Sequence, residues 1–227
     1  MPYASYTILT PNGNLIDDGL IDESYEIKSL NDIVEGPEPN TYFALGWVNT
    51  SSYPNALSKI LHISNSGEVL NAFEFPYNSG FYGRIFREND GSYTAFFNTR
   101  VDSDDRIDRI NIDSSGNINS HTSYTFNNDY TKGIDFEQLS SGGYIISGSM
   151  STNYASSKSL IFSIDSSGEI LWQIDYGTHS NYMDFATSCL ELEDGKIIVT
   201  GSSLLNPNTN SAVVKVYIHK YRSDGSL

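Results

Sequence analysis

Cysteine, positive charge and long apolar runs are scarce in this sequence, and each scarcity excludes a class of protein. The single cysteine, Cys189, excludes an internal disulfide framework. Lys and Arg number 13 against 28 Asp and Glu, and the resulting net charge of −15 disfavours nucleic acid and anionic membranes as partners. No apolar run is long enough to span a membrane.

The start of the chain, MPYAS, lacks the basic and apolar segments of a signal peptide. We therefore expect either an intracellular protein or a fragment trimmed from a longer chain. In the second case the expected location is extracellular, or on a cell or virion surface. The 227 residues, 38% of them hydrophobic and 13% aromatic, suffice for one substantial core.

A short turn that ends in glycine recurs along the chain. Its copies are Asn12-Gly13, Asn65-Ser66-Gly67, Asp113-Ser114-Ser115-Gly116, Asp165-Ser166-Ser167-Gly168 and Ser223-Asp224-Gly225. Successive glycines are 54, 49, 52 and 57 residues apart, and apolar residues flank nearly every copy. This pattern predicts hairpins whose last turn residue takes a positive φ, in an array of repeats.

A second motif alternates with the first at the same period. Its copies are residues 41–46 (TYFALG), 92–96 (SYTAF), 143–148 (GYIISG) and 196–201 (KIIVTG). Copies of this motif follow loops such as residues 88–91 (ENDG) and 193–195 (EDG), which indicate another tight turn. Each repeat therefore carries two hairpins. Strands A and B flank this second turn, and strands C and D flank the glycine turn. Four β-rich strands in about fifty residues predict an all-β fold, a β-propeller of four-stranded antiparallel blades.

The repeat also predicts the domain organisation, a single β-propeller domain over residues 1–227. Residues 1–20 form a partial blade with strands C and D. Complete blades follow at about 25–76, 82–125 and 132–176, and a partial blade with strands A to C occupies about 185–227. The ring has four blades if its two ends share one blade, and otherwise the chain is a fragment of a larger ring.

The residues of the third repeat resemble a known group of proteins. Residues 142–148 (GGYIISG) and 165–172 (DSSGEILW) are similar to repeats of bacterial secreted or surface β-propeller proteins, distantly related to quinoprotein-like propellers. In the quinoprotein enzymes a tryptophan recurs in each blade, whereas here only Trp172 stands at such a position. This departure argues against a quinone, and we predict no cofactor.

The loops are the predicted functional part, because the strands are committed to packing. Loops B to C and D to A share one face and are rich in Asn, Ser and Tyr. Aromatic rings and carboxamides suit sugar recognition, although turn formers in solvated loops use the same residues. The predicted ligand-binding residues are Tyr25, Tyr53, Tyr82, Tyr130, Asn153, Tyr154, Asn181 and Tyr182.

Metal binding is not predicted. Asp102, Asp104 and Asp105 offer hard oxygen ligands for calcium, but they lack the glycine and distal glutamate of an EF-hand loop. A solvated loop with local ion pairs is the preferred interpretation of this cluster. The four histidines show no metal-ligand spacing and are predicted to be structural.

An enzyme remains an alternative, as a propeller glycoside hydrolase. Such enzymes need two or three carboxylates that converge from the starts of A strands, and Glu26, Asp135 and Asp184 lie near such places. Alignment of the repeats puts Asp135 and Asp184 at different positions along their A strands, and therefore at different heights along the propeller axis. This difference disfavours a single catalytic site that contains both carboxylates. Cys189 has no histidine in repeat register, so a thiol nucleophile is not expected.

The preferred hypothesis from the sequence is a non-enzymatic binding module whose Tyr- and Asn-rich loop face recognises a glycan or a protein. The first alternative is a structural scaffold that self-associates through its incomplete blade, where an open edge would recruit another strand. The second alternative is the propeller glycoside hydrolase.

Overall fold

The structure, a computed structural model, describes residues 5–9, 12–21, 27–49, 56–101, 104–126, 130–153, 156–177, 182–205 and 213–227. Within these ranges the chain forms sixteen β-strands and no helix, so the prediction of an all-β fold is confirmed. None of the described residues form a helix with the length and apolarity needed to cross a membrane. The chain divides into two compact units, Met1–Val101 with Asp108–His121 and Asp102–Ile107 with Thr122–Leu227.

The strands follow one another with short connections. The first nine are β1 (Ser5–Leu9), β2 (Leu15–Leu20), β3 (Ile27–Glu35), β4 (Thr41–Asn49), β5 (Ala56–Ser64), β6 (Val69–Arg87), β7 (Tyr93–Val101), β8 (Asp104–Ile112) and β9 (Ile118–Tyr124). The other seven are β10 (Tyr130–Gln138), β11 (Tyr144–Asn153), β12 (Ser156–Ile164), β13 (Ile170–Tyr176), β14 (Tyr182–Glu191), β15 (Ile197–Leu205) and β16 (Val213–Tyr221).

Strand pairing follows the predicted repeat. Strands β10, β11, β12 and β13 pair antiparallel in chain order, which is the arrangement of a propeller blade with strands A to D. Strands β14, β15 and β16 pair in the same order as A to C of the last repeat. Strands β1 and β2 pair with each other as the first C–D hairpin. The blade boundaries given above stay a prediction.

One predicted loop is absent. A D to A loop is expected around residues 78–82, yet β6 runs unbroken from Val69 to Arg87. Its first half pairs with β5 and its second half pairs with β7, with a register shift between Ser79 and Gly83. One long strand therefore serves as D of one repeat and A of the next, because its backbone finds partners along both halves.

The glycine turns have the predicted geometry. Gly67, Gly116, Gly168 and Gly225 have φ between 77° and 99°, and each donates its N–H to the carbonyl three residues earlier. The Asp165 carboxylate accepts hydrogen bonds from the backbone N–H groups of Ser167, Gly168 and Glu169. The Ser167 hydroxyl and these N–H groups lower the pKa of Asp165. Its role as a turn residue is confirmed.

The glycine that closes the second motif makes room for a bulge in the facing strand. Gly148 pairs with Gly133 where β10 shifts register, and a Cβ on Gly148 would overlap the Lys132 carbonyl oxygen. Gly201 has the same relation to the Phe185 carbonyl oxygen on β14. The motif therefore requires glycine because two backbones approach closely there.

An aromatic side chain near the D strand contacts the glycine turn of the following repeat in three places. Trp172 donates its indole N–H to the Ser223 carbonyl at 2.8 Å, beside Gly225. Tyr124 donates its hydroxyl hydrogen to the Gly168 carbonyl at 2.9 Å.

In the other unit the Phe73 ring occupies the space that a Cβ on Gly116 would take. The contact thus recurs, although the three aromatic residues stand at different distances from their own turn glycines. In the sequence, Trp172 is the only tryptophan at such a position of the repeat. It is one of three aromatic residues that fill the same packing role.

Apolar side chains fill the space between strands in each unit. Phe43, Ile60, Phe75, Tyr93 and Phe97 belong to a buried cluster in the first unit. In the second unit Ile145, Ile161, Cys189, Val199 and Tyr221 form a buried cluster. Burial of these side chains is the main favourable term for such sheets.

One face of β16 remains open to solvent in the described part of the chain. Val214, Val216 and Ile218 alternate along it and are 65%, 78% and 69% exposed. The predicted self-association through the open edge of the incomplete blade stays a prediction.

Candidate active site

The predicted ligand-binding residues are placed differently from the loop face expected. Tyr25, Tyr53, Tyr154 and Asn181 lie outside the described residues. Tyr82, Tyr130, Asn153 and Tyr182 lie in strands β6, β10, β11 and β14 rather than in loops. The strands run further toward this end of the repeat than the turn-forming residues indicate, because cross-strand pairing offsets weak strand propensity. Tyr82 is exposed and Tyr130 is half-buried.

The strand register separates the predicted carboxylates along the repeat. Asp135 lies opposite Ser147, and Ser188 lies opposite Thr200 at the equivalent position of the next repeat. Asp184 lies opposite Ser203, four residues nearer the start of β14 than Ser188. Glu26 lies outside the described residues. The different heights expected for Asp135 and Asp184 are therefore found.

Asp135 holds two neighbouring A strands together. Its Oδ2 accepts hydrogen bonds from the Cys189 backbone N–H at 3.0 Å and from the Ser188 hydroxyl at 2.9 Å. Its Oδ1 accepts a hydrogen bond from the Phe136 N–H at 3.0 Å. Both oxygens of Asp135 thus accept hydrogen bonds from the protein itself, which indicates a structural rather than a catalytic role for this carboxylate.

A carboxylate that bonds to the next A strand is also found in the first unit. Asp32 stands at the position of Asp135 in its repeat, beside the bulge of β3, and its Oδ2 accepts a hydrogen bond from the Ile85 N–H at 3.0 Å. Arg84 on the same neighbouring strand adds an ion pair at 3.4 Å. Two repeats therefore fasten the next A strand with a carboxylate, which supports a structural role for Asp135.

Removal of this carboxylate should lower the stability of the second unit. We expect Asp135→Ala to reduce the free energy of unfolding by about 2 kcal/mol, since hydrogen bonds to a charged group are lost. The control Asp175→Ala removes an exposed ion pair with Lys158 and should cost under about 1 kcal/mol. Urea denaturation of both variants measures the difference. Equal losses in the two variants would contradict the structural role of Asp135.

Asp184 differs from Asp135 because it is buried at the start of an A strand and adjoins a glycine. Its side chain is 4% exposed. A Cβ on Gly177 would lie 2.5 Å from Asp184 Oδ2, so the absence of a side chain there gives the carboxylate its space. The Asp184 backbone carbonyl accepts a hydrogen bond from the Ser157 hydroxyl at 3.1 Å. This bond fixes the backbone of Asp184, and the carboxylate lies beside Gly177.

A tyrosine crosses the sheet toward this carboxylate. Tyr217 on β16 donates its hydroxyl hydrogen to the Phe185 carbonyl at 3.0 Å and lies 2.5 Å from the Ser159 hydroxyl. The ring passes over Gly201 on the intervening strand, where any Cβ would overlap it. Burial, with the nearby charge of Asp184 as a lesser cause, raises the pKa of Tyr217 to about 12. Tyr217 is therefore neutral at physiological pH.

Three more aromatic side chains pack near Tyr217. The Tyr176 ring lies 5.7 Å from that of Tyr217 and 5.0 Å from that of His219, measured between centroids. His219 Nδ1 lies 3.0 Å from the Tyr221 hydroxyl. The ring planes are tilted or perpendicular to one another, and Tyr221 is buried, so the four rings form no flat platform. Tyr176 is 46% exposed, and one face of its ring can stack on a sugar ring.

Strands β12 and β14 meet beside Asp184. Ser157 on β12 is bridged in parallel to Met183 on β14, beside Asp184. The described strands on either side of residues 154–155 and 178–181 therefore come together at Asp184. The sequence did not indicate Ser159, Gly177 or Tyr217. Tyr217 could have been found from the repeat, because its position on strand C pairs with Gly201, the glycine that ends the second motif.

Two other kinds of site are not formed by the described residues. These contain no group of three or more His, Cys, Asp or Glu side chains arranged to hold a metal ion. Asp105, from the cluster considered for calcium, is 6% exposed and pairs with Lys132 at 3.7 Å, so it is not a solvated loop residue. Burial, with the Asp135 charge as a lesser cause, strongly raises the pKa of the Cys189 thiol, which disfavours a thiolate nucleophile.

The fold is shared with solved structures of arabinan-cleaving enzymes. An α-L-arabinanase from Penicillium chrysogenum, solved with arabinobiose, matches with a TM-score of 0.56 and 12% identity over 84% of this chain and 62% of that chain. An endo-arabinase from Bacteroides thetaiotaomicron matches with a TM-score of 0.52 and 12% identity over 94% of this chain and 84% of that chain. This chain therefore spans less than two thirds of the Penicillium enzyme. At such identity the likeness establishes the β-propeller fold.

No protein-family model matches the sequence, and no curated protein sequence is significantly similar to it. The resemblance to bacterial surface repeat proteins is therefore supported only as far as the propeller fold.

The comparison also corrects two predictions. The sequence favours a non-catalytic binding module and a chain that is not an enzyme, and the enzymes that share its fold overturn that preference.

Proposed function

We propose that this chain is a propeller glycoside hydrolase that acts on a neutral, arabinan-like polysaccharide, with Asp184 as one of its catalytic carboxylates. The observation that carries the proposal is the buried carboxylate of Asp184 at the start of strand A, beside Gly177. The propeller fold shared with two arabinan-cleaving enzymes supports it and suggests the substrate class.

Glycoside hydrolysis uses two carboxyl groups. One protonates the leaving oxygen, while the other activates water or attacks the anomeric carbon. We assign Asp184 to this pair because the hydrogen bonds of Asp135 commit both of its oxygens to neighbouring strands.

The neighbours of Asp184 fit a neutral substrate. Tyr217 stays protonated, so it places no second negative charge beside the carboxylate. Tyr176, which packs beside Tyr217, is 46% exposed and offers a ring face on which a sugar can stack. The net charge of −15 disfavours anionic polymers such as polygalacturonate and leaves neutral polymers as the better fit.

The proposal is tested by incubating the whole chain with linear arabinan and measuring new reducing ends and released oligosaccharides. We expect products from linear arabinan and none from polygalacturonate. Neutral galactan and xylan in the same assay define the sugar specificity. Absence of product from every neutral polysaccharide would overturn the proposed function.

A further inference from the structure

Strand β16 has an open edge. It pairs with β15 along its whole length, and among the described residues no strand pairs with its other edge. The three preceding C strands, β5, β8 and β12, each pair at that edge with a D strand, β6, β9 and β13 respectively. The backbone groups along the open edge of β16 are therefore accessible to an added strand.

The side chains on one face of β16 are apolar and exposed. Val214, Val216 and Ile218 are 65%, 78% and 69% exposed. The corresponding residues of the other three repeats, counted back from the turn glycine, are buried: Ser58, Ile107 and Ser159 for Val216, and Ile60, Arg109 and Ile161 for Ile218. The face that is covered in each of those repeats is thus uncovered on β16, which indicates an interaction surface.

In two repeats the D strand presents the same kinds of residue to these positions. Residues 73–75 (FEF) of β6 lie opposite residues 58–60 of β5. Residues 174–176 (IDY) of β13 lie opposite residues 159–161 of β12. The equivalent residues of β16 are 216–218. The repeat therefore predicts an apolar–acidic–apolar sequence opposite these three residues.

The acidic residue of this pattern pairs with a lysine of the C strand. Lys59 Nζ lies 2.6 Å from Glu74 Oε1, and Lys158 Nζ lies 2.7 Å from Asp175 Oδ2. Lys215 stands at the position of Lys158, ten residues before the turn glycine, and its side chain is exposed. A carboxylate on an added strand would meet Lys215 as Asp175 meets Lys158.

Strand β16 is basic, whereas the chain as a whole is acidic. Residues 213–222 contain Lys215, Lys220 and Arg222 and no Asp or Glu, while the whole chain has a net charge of −15. Pairing of two β16 edges would bring like charges together, which disfavours a second copy of this chain as the added strand. Charge complementarity favours a strand that carries a carboxylate.

We propose that the open edge of β16 binds an extended segment of a partner polypeptide with the pattern apolar–acidic–apolar. The segment adds as an antiparallel strand. Its acidic residue lies opposite Tyr217 and near Lys215, and its two apolar residues lie opposite Val216 and Ile218. In such strand addition the backbone hydrogen bonds provide affinity and the side chains provide specificity. The two apolar residues also remove part of the exposed face from water.

A peptide with the sequence of residues 169–176 (EILWQIDY), which contains the pattern, is the probe. It is added to the whole, isotope-labelled chain while NMR follows the methyl signals of Val214, Val216 and Ile218. We expect saturable shifts of these signals. The same peptide with Asp175→Lys should bind about fivefold more weakly, because it loses the ion pair with Lys215 and brings a like charge to it.

Variants of the chain test the two kinds of contact separately. Lys215→Glu should weaken binding of the original peptide and strengthen binding of the Asp175→Lys peptide, because the charges are exchanged. Val216→Lys should weaken binding of both peptides about tenfold, since an apolar contact is lost. The matched control Lys196→Glu changes a lysine in the turn between β14 and β15 and should bind as the unchanged chain does.

Four results would overturn the proposal. They are absence of shifts at the solubility limit of the peptide, equal affinity for the two peptides, unchanged affinity in Val216→Lys, and shifts confined to β12 and β13, where the peptide would replace the chain's own D strand. A dimer that forms without peptide and involves β16, detected by sedimentation and NMR, would identify a second copy as the occupant instead. These results are independent of whether the chain cleaves arabinan.

Discussion

Asp184→Asn is expected to abolish most of the hydrolysis of linear arabinan, by about 10²- to 10⁴-fold in kcat, because an amide neither transfers a proton nor attacks as a carboxylate does. The substitution keeps the shape of the side chain, so it still fits the space beside Gly177. Reducing-end assays over a range of substrate concentrations would separate a loss in kcat from a change in KM.

The control for this experiment is Asp194→Asn, which changes an exposed aspartate whose carboxylate contacts Lys196 in a distant turn. We expect the control to retain the activity of the unchanged chain. Thermal unfolding of both variants shows whether a loss of activity follows a loss of folding. Retention of activity within about twofold in a folded Asp184→Asn variant would remove Asp184 from the mechanism.

Gly148→Ala should have the largest effect on stability. A Cβ at this position would overlap the Lys132 carbonyl oxygen and crowd the Gly133 Cα, so two backbones would have to separate. Overpacking of this kind costs about 3 kcal/mol or more, a large fraction of the stability of a single unit. Urea denaturation, followed by the fluorescence of Trp172 in the same unit, measures the loss.

The matched control is Gly142→Ala in the neighbouring turn. Gly142 has φ 85° and open space around its Cβ position, so alanine there costs only the left-handed conformation, about 1 to 2 kcal/mol. We expect Gly148→Ala to be clearly the more damaging of the two. A loss at Gly148 no larger than that at Gly142 would show that β10 can move away without cost.

The second repeat shows why this glycine requires the structure for its explanation. Three copies of the second motif end in glycine. In the copy at residues 92–96 the equivalent position is Phe97. In the structure Phe97 pairs with Gly83, so the glycine has moved to the facing strand. The contact between the strands needs one small residue, and either strand can supply it.

The Tyr- and Asn-rich segments illustrate a limit of turn chemistry. Asn, Ser and Tyr indicate loops around Tyr82 and Asn153, yet both residues lie within strands. Strand formation depends on the partner backbone as much as on the residue itself. A loop assigned from composition therefore loses residues at each end when the neighbouring strands continue to pair.

The choice of function failed for a related reason. Loop composition is compatible with many roles, and the carboxylates look alike in the sequence. Asp135 and Asp184 differ only in their surroundings, since Asp135 is bonded to neighbouring strands whereas Asp184 is buried beside Gly177. The residues that bond Asp135 lie 53 and 54 positions further along the chain, so no local pattern identifies it as the structural carboxylate.

The sequence by itself determined the repeat, the strand order and the glycine turns, because these depend on local periodicity and on φ preferences that each residue carries with it. The tertiary structure alone decided which strands run on without a loop, which aromatic residue packs on the next turn, and which carboxylate is bonded to a neighbouring strand. These features depend on contacts between residues that are distant in the chain, and a single sequence does not record such contacts.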